Sequence, residues 1–326
     1  METKLLVTID TEENWEGPGE AKEPNLGNIY KIPELQKNIF DKFDVKPVYL
    51  LTYPVATDQK SISILREIYE NNRCEIGTHL HSWHVPPIDR NDIIKKVYQC
   101  DLPYSLEKQK IAALTQVIEE NFKVKPVTFR AGRWGADGET IKILRELGYK
   151  IDLSVAPLID YSIEGGPNFY HAPFEPYFPS FDDILAPTQK NPILLEIPVT
   201  CGFSVTNFEK IRSFYRFLQK KPIKYLHIIG VLYALRLLKR IKLSPETASF
   251  EEMKRLVDVC IARGQKVLHL TFHSSMISAG DSPYAKDEKE KNMRLKSLNE
   301  ILDYIVNAKK ITSLTAKEIY ESWQRE

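Results

Sequence analysis

The sequence predicts an α/β barrel built as one domain, and three observations carry that expectation. Short apolar runs of strand length alternate with helical periods along the chain, the order of a parallel sheet wrapped in helices. About seven such strands can be counted, and 326 residues is an ordinary length for a one-domain barrel. Polar side chains capable of chemistry follow those strands (Asp10 and Glu12, His79 and His81, Arg130, Asp152, His273), and an α/β barrel gathers its strand ends on one rim.

Taken in order, Leu5–Ile9 reads as a buried strand running into TIDTEENW, where Asp10 and Glu12 share a face if the strand continues. Gly17–Gly27 is a Pro- and Gly-rich loop. Pro33–Phe43 is helical, Lys46–Leu51 is a strand, and Ser61–Asn71 is a helix leading into the strand Cys74–Gly77. Asn91–Cys100 and Ser105–Phe122 have helical character. Val124–Phe129 is a strand closed by RAGRWGAD, and Gly138–Leu147 is a helix stopped at Gly148. Tyr149–Leu153, Ile193–Val199 and Lys266–Phe272 are strands, and Phe250–Arg263, Lys289–Ala308 and Thr315–Trp323 are helices.

Composition narrows the function. Apolar residues make up 43% and charged residues 27%, mean hydropathy is −0.32 and net charge is +1, which argues against a nucleic-acid-binding polyelectrolyte. Cys74, Cys100, Cys201 and Cys260 are scattered and form no CxxC, which suits a reducing compartment and argues against a cysteine zinc site. Only five apolar-leaning residues follow Lys4 before acidic ones begin, too few for an export signal, and no run reaches spanning length. The expected location is the cytoplasm, with peripheral attachment at the inner membrane face as an option.

Two insertions interrupt the alternation, at about 156–192 and 202–249. The first is rich in Pro, Gly and aromatics. Within the second, Lys210–Lys242 holds ten Lys or Arg and no Asp or Glu, which leaves −9 on the rest of the chain, and Tyr225–Leu238 is almost wholly apolar. That combination suits docking on an anionic membrane surface, or a helix pair with solvated charges.

The chemistry centres on EIGTHLHSWHVPP, Glu75–Pro87, with His79, His81 and His84 within six positions. A strand running on through Leu80 puts His79 and His81 on one face, where two imidazoles could hold one divalent metal with a carboxylate from elsewhere. Trp83 and Trp134 are candidates for stacking on a sugar ring.

TIDTE, EIGTHLHSWH, FRAGRWG, DLSVAP and LTFHS together resemble, in order, the five motifs of the polysaccharide deacetylase family, the NodB-like carbohydrate esterases. The resemblance covers Leu5 to His273 and implies a distorted (β/α)7-type barrel, the glycoside hydrolase/deacetylase barrel. It further implies a divalent metal, hydrolysis of acetyl groups on sugars and a carbohydrate substrate. Carried over by position, Asp10 is the catalytic base, Arg130 tunes it, His273 is the general acid and Asp152 is the partner of His273. The sequence departs from the pattern at Thr11, where the family has a metal-binding Asp, and at Trp83, where it has a second His. Glu12 is therefore assigned to the metal with His79 and His81; Asp10 competes as carboxylate ligand and His84 as the second His. The HLHSW spelling resembles a variant branch from bacterial surface-polysaccharide synthesis. Zinc suits such ligands, as do nickel, cobalt and manganese. The expected reaction is removal of an N-acetyl or other acyl group from an amino sugar of a surface polysaccharide or glycolipid precursor, with a lipid-linked sugar as one form of it. A deformylase or other amidohydrolase acting on a non-sugar amide, and an inactive sugar-binding relative, are the rival readings.

Overall fold

The computed structural model describes residues 2–14, 24–88, 98–189, 192–234, 238–280 and 282–325. Among these residues seven strands form one parallel sheet: β1 (Lys4–Thr11), β2 (Val48–Leu51), β3 (Glu75–Leu80), β4 (Thr128–Ala131), β5 (Ile151–Asp152), β6 (Leu195–Glu196) and β9 (Val267–His273). The spatial order is β6-β5-β4-β3-β2-β1-β9, and two further strands, β7 (Cys201–Phe203) and β8 (Arg240–Lys242), pair antiparallel as a separate hairpin. The architecture is thus the expected distorted barrel. Among the described residues no ladder joins β6 to β9. Single bonds cross that gap instead: Thr200 N–H donates to His269 O and Thr271 N–H donates to Leu243 O.

Among the described residues helices form where the sequence predicts them, and the second insertion adds two more. They are α1 (Gln59–Glu70), α2 (Tyr104–Phe122), α3 (Gly138–Glu146), α4 (Phe208–Leu218), α5 (Ile228–Ala234), α6 (Phe250–Ala262), α7 (Glu288–Leu302) and α8 (Ala316–Trp323), with further helical turns from Ile29 to Phe43. Asp137, Ser249 and Thr315 each close a reciprocal capping box at a helix start. The expected helix Asn91–Cys100 lies mostly outside the described residues; its end, Gln99–Asp101, is a single 3-10 turn. The aromatic insertion packs down: Phe169, Tyr170, Phe174 and Tyr177 are buried, and Tyr177 pairs with Glu196 through the backbone.

Alternation along the strands sorts the core. Leu5, Val7 and Ile9 of β1, with Phe129 and Ala131 of β4, face the surrounding helices, whereas Leu6, Val48, Leu50, Ile151, Leu153, Leu195, Ile197 and Val267 cluster with Ala316, Ile319 and Tyr320 of α8. Above that apolar floor the same inward face carries Thr8 and Asp10, in register with Thr271 and His273. His79 lies in register with Arg130. Register and period two therefore bring these polar residues from four strands to one end of one cavity.

Candidate metal and catalytic site

Arg130, on β4, is fully buried, and its donors are all used. Nη1 donates to Asp10 Oδ1 and to Thr271 Oγ1 (2.8 Å), Nη2 faces Thr8 Oγ1 (2.9 Å) and His269 Nε2 (3.0 Å), and Nε donates to Leu153 O (3.1 Å). His269 is more than a core residue. Its Nδ1–H donates to the carbonyls of Ile197 and Pro198, and burial beside Arg130 lowers its pKa to about 3, so Nε2 stays an acceptor. The fork is thereby fixed against Asp10. Burial alone would raise the Asp10 pKa; the Arg130 guanidinium, with His79 and His273, overcomes it and holds the carboxyl well below the usual carboxylate range.

Asp10 Oδ2 lies 3.7 Å from His273 Nε2. The other nitrogen of that ring, Nδ1, sits 3.0 Å from both oxygens of Glu246, whose Oε1 also accepts the His273 backbone N–H at 2.7 Å. Burial opposes the charged imidazole, but Glu246 first, then Glu12 and Asp10, raise its pKa to about 9. Tyr284 stacks on the ring, with centroids 5.3 Å apart. Asp152, expected as the partner of His273, is elsewhere. It alternates with the inward Ile151 and Leu153 and lies in register with Phe129 and Glu196, so its carboxylate points to the opposite face of the sheet. There it accepts from Ser154 Oγ and Leu153 N–H beside Glu196; burial raises the pKa of both carboxyls, Asp152 adds to the rise of Glu196, and the hydrogen bonds from Glu196, Ser154 and Leu153 N–H offset part of the rise of Asp152. Glu246 takes the place that the sequence reading gave to Asp152.

Beside this pair, Glu12, His79 and His81 converge. Their ligand atoms lie within 4.8 Å of one another, and all three are buried. Glu12 Oε2 is 3.3 Å from His79 Nε2 and 3.1 Å from His81 Nε2. Thr11, by contrast, turns to the other face and donates to Ile9 O. The strand ends at Thr11, and the Glu12 backbone is held instead by side chains: Ser274 Oγ accepts its N–H (3.0 Å), and Asn28 Nδ2 donates to its carbonyl (2.8 Å). Glu13 then also reaches the site, 3.0 Å from His81 Nδ1 and 3.2 Å from His84 Nε2, with Thr52 Oγ1 donating to it at 2.8 Å. His84 therefore faces Glu13, while Glu12 faces His79 and His81.

These residues fit a divalent cation. His79 Nδ1 donates to Arg130 O (3.2 Å) and His81 Nδ1 to Glu13, so both Nε2 atoms aim at one carboxylate oxygen. Two ring nitrogens and an oxyanion around one point need a positive charge between them, a proton or a metal. Without metal the proton takes that role: burial disfavours it, but Glu13 and Glu12 raise His81 to about 10, and the histidines hold Glu12 at about 2 against the effect of burial.

Glu246 and Glu13 were not legible as site residues in the sequence. Glu246 lies inside the second insertion and belongs to no motif, whereas Glu13 adjoins Glu12 and Ser274 ends the LTFHS segment, so proximity was the available signal. Trp83 stacks on His81 with centroids 4.5 Å apart, and Trp134 lies between the cations of Arg130 (5.0 Å) and Lys242 (4.8 Å).

No family model and no curated protein matches this chain. Solved structures do. One titled as a glycoside hydrolase/deacetylase from Parabacteroides distasonis aligns at TM-score 0.65 and 10% identity, over 99% of this chain and 72% of that one. Another, titled as a polysaccharide deacetylase from Pseudomonas aeruginosa PAO1, aligns at TM-score 0.56 and 17% identity, over 99% and 91%. The fold is that of the polysaccharide deacetylases. The deacetylase fold is shared by the Puue allantoinase, which aligns at TM-score 0.55 and 15% identity over 98% of this chain and 90% of that one. At such identities the likeness is one of fold.

Proposed function

We propose that this protein is a metal-dependent hydrolase that removes an N-acetyl or related acyl group from an amino sugar of a surface polysaccharide or glycolipid precursor. The observation that carries this reading is the pairing of an ionised Asp10, fixed by Arg130, with a cationic His273, fixed by Glu246, at the edge of the Glu12–His79–His81 cluster. When bound there, a divalent ion supplies polarisation of the acyl carbonyl and a more acidic water.

The chain's own residues then divide the proton transfers. Asp10 Oδ2 accepts a proton from the attacking water as its oxygen bonds to the acyl carbon. The low proton affinity that Arg130 imposes makes Asp10 a base only for a water that is itself acidified. His273 Nε2 gives its proton to the sugar nitrogen as the carbon–nitrogen bond breaks, so the amine leaves neutral and the acyl group leaves as a carboxylic acid. Glu246 keeps His273 charged and its ring oriented. An inactive sugar-binding relative would not require this opposed base and acid. Four free cysteines support a reducing compartment, the cytoplasm, and among the described residues no helix is long and apolar enough to cross a membrane.

Elemental analysis of the wild type and of His79→Ala and His81→Ala tests the reading. One metal per chain, lost in both variants, is expected. No metal even after incubation with zinc would end the metal-dependent reading. A panel of acylated amino sugars against non-sugar amides then tests the substrate class. Likeness to an allantoinase favours the second set as the alternative, and turnover confined to it would replace the sugar.

A further inference from the structure

Large exposed apolar side chains are not spread evenly over this protein. Nine are found among the described residues, and six of them (Phe214, Phe217, Tyr225, Leu226, Val231 and Tyr233) fall within one stretch of the second insertion. Helix α4 is anchored by Phe208 and Leu218, which are buried, with Phe208 packed edge-on against Phe174 and Phe203. That anchoring leaves Phe214 and Phe217, three residues apart on one face, 45% and 51% exposed. Leu226, in the turn that follows, is 68% exposed. Around them lie the exposed cations Lys210, Arg216, Lys220, Lys221 and Arg240, and no Asp or Glu occurs from Lys210 to Lys242. Aromatic and aliphatic groups standing in water among cations are the pattern of a surface completed by something else.

We propose that this α4–α5 platform docks the protein onto an anionic lipid bilayer. Phe214, Phe217 and Leu226 enter the boundary between headgroups and acyl chains, and the surrounding Lys and Arg side chains meet lipid phosphates. Charge selects this occupant. A second copy apposed through the same surface would bring two platforms of net positive charge together. A nucleic acid would satisfy the cations but gives the exposed Phe, Leu and Val nothing to bury against. A bilayer with anionic headgroups satisfies both.

The platform is also tied to the catalytic rim. It is carried between the strands of the β7–β8 hairpin, and the chain leaving β8 bonds through Leu243 to Thr200 and Thr271 before reaching Glu246, the residue that holds His273. Docking would therefore hold the site close to the lipid surface. The inference rests on the platform alone and stands whatever acyl group the site removes.

Co-sedimentation with vesicles tests it, using phosphatidylcholine alone and a phosphatidylcholine–phosphatidylglycerol mixture at low and high salt. Binding to the mixture at low salt, weakened by salt and weak on phosphatidylcholine, is expected. The variant Phe214→Ser/Phe217→Ser/Leu226→Ser should lower the apparent affinity by at least about tenfold with an unchanged circular dichroism spectrum. Lys220→Glu/Lys221→Glu, altered at two exposed positions that leave the core untouched, should lower it by about tenfold or more. No pelleting of the wild type with either vesicle, or pelleting that both variants leave unchanged, would overturn the proposal. So would a dimer by light scattering that the triple variant dissociates, since the platform would then be covered by a second copy.

Discussion

Replacing Glu246 with Gln isolates the electrostatics that the proposed mechanism requires of His273. The ring has burial against its charge and three carboxylates in favour of it, and the outcome is a pKa near 9 rather than 6.5. That difference corresponds to about 3 kcal/mol in favour of the imidazolium. Glu246 is the largest favourable contributor, with both oxygens 3.0 Å from Nδ1. A unit charge at about 4 Å is worth about 4 kcal/mol at an effective dielectric of 20, so its loss is large enough to cancel most of the shift. Gln keeps the shape and can still accept from Nδ1–H, but it removes the charge. We expect the His273 pKa to fall by about 2 units, which takes the cationic fraction at pH 8 from about nine-tenths to about one-tenth. Histidine-selective nitrogen NMR on metal-free protein, with the resonance assigned by His273→Gln, measures this directly. The sign is also testable in stability. A raised histidine pKa stabilises the fold fully below about 6.5 and ceases to do so as pH rises through about 9. The Glu246→Gln variant should lose that dependence earlier, near pH 7. A fall of less than about half a unit would refute the role of Glu246, because among the described residues no other carboxylate accepts a hydrogen bond from Nδ1.

Three other perturbations follow from named contacts. Burial raises Glu107 to about 7 despite hydrogen bonds from Gln99 and Thr140, so the native state should lose about 3 kcal/mol as pH rises from 4.5 through 7; urea unfolding at several pH values should show this in the wild type and a flatter profile in Glu107→Gln. Glu13→Gln removes the anionic partner of His81 Nδ1 and should weaken metal binding about 10- to 100-fold in a chelator competition, whereas an unchanged affinity would show that His81 is oriented without it. Gly132→Ala would place its Cβ 2.3 Å from Leu80 O and 2.9 Å from His81 Cδ2, so it should destabilise by about 1–3 kcal/mol in urea and lower metal affinity as His81 is displaced; a wild-type midpoint would contradict the packing described.

The sequence by itself determined what depends on local period and strand order. Alternating strands and helices gave the barrel, and period two placed His79 on one face, Asp10 on the inward face of β1 and Arg130 on that of β4. The five motif-like segments fall at strand ends for the same reason, since a parallel barrel gathers those ends on one rim. Alternation lasts only as long as the strand. Past Thr11 the chain is held by Asn28 and Ser274, and only the folded chain shows that Glu12 meets His79 and His81 while Glu13 supports His81 and His84. Asp152 was misjudged because a strand of two residues leaves little period to read, and its face follows from its register with Phe129. Glu246 was invisible for a deeper reason. It reaches His273 from a connection that crosses the open seam between β6 and β9, so the contact depends on how the barrel closes. Strand faces are set by neighbouring residues and can be read along the chain; a carboxylate delivered by a loop is set by the packing of the whole barrel.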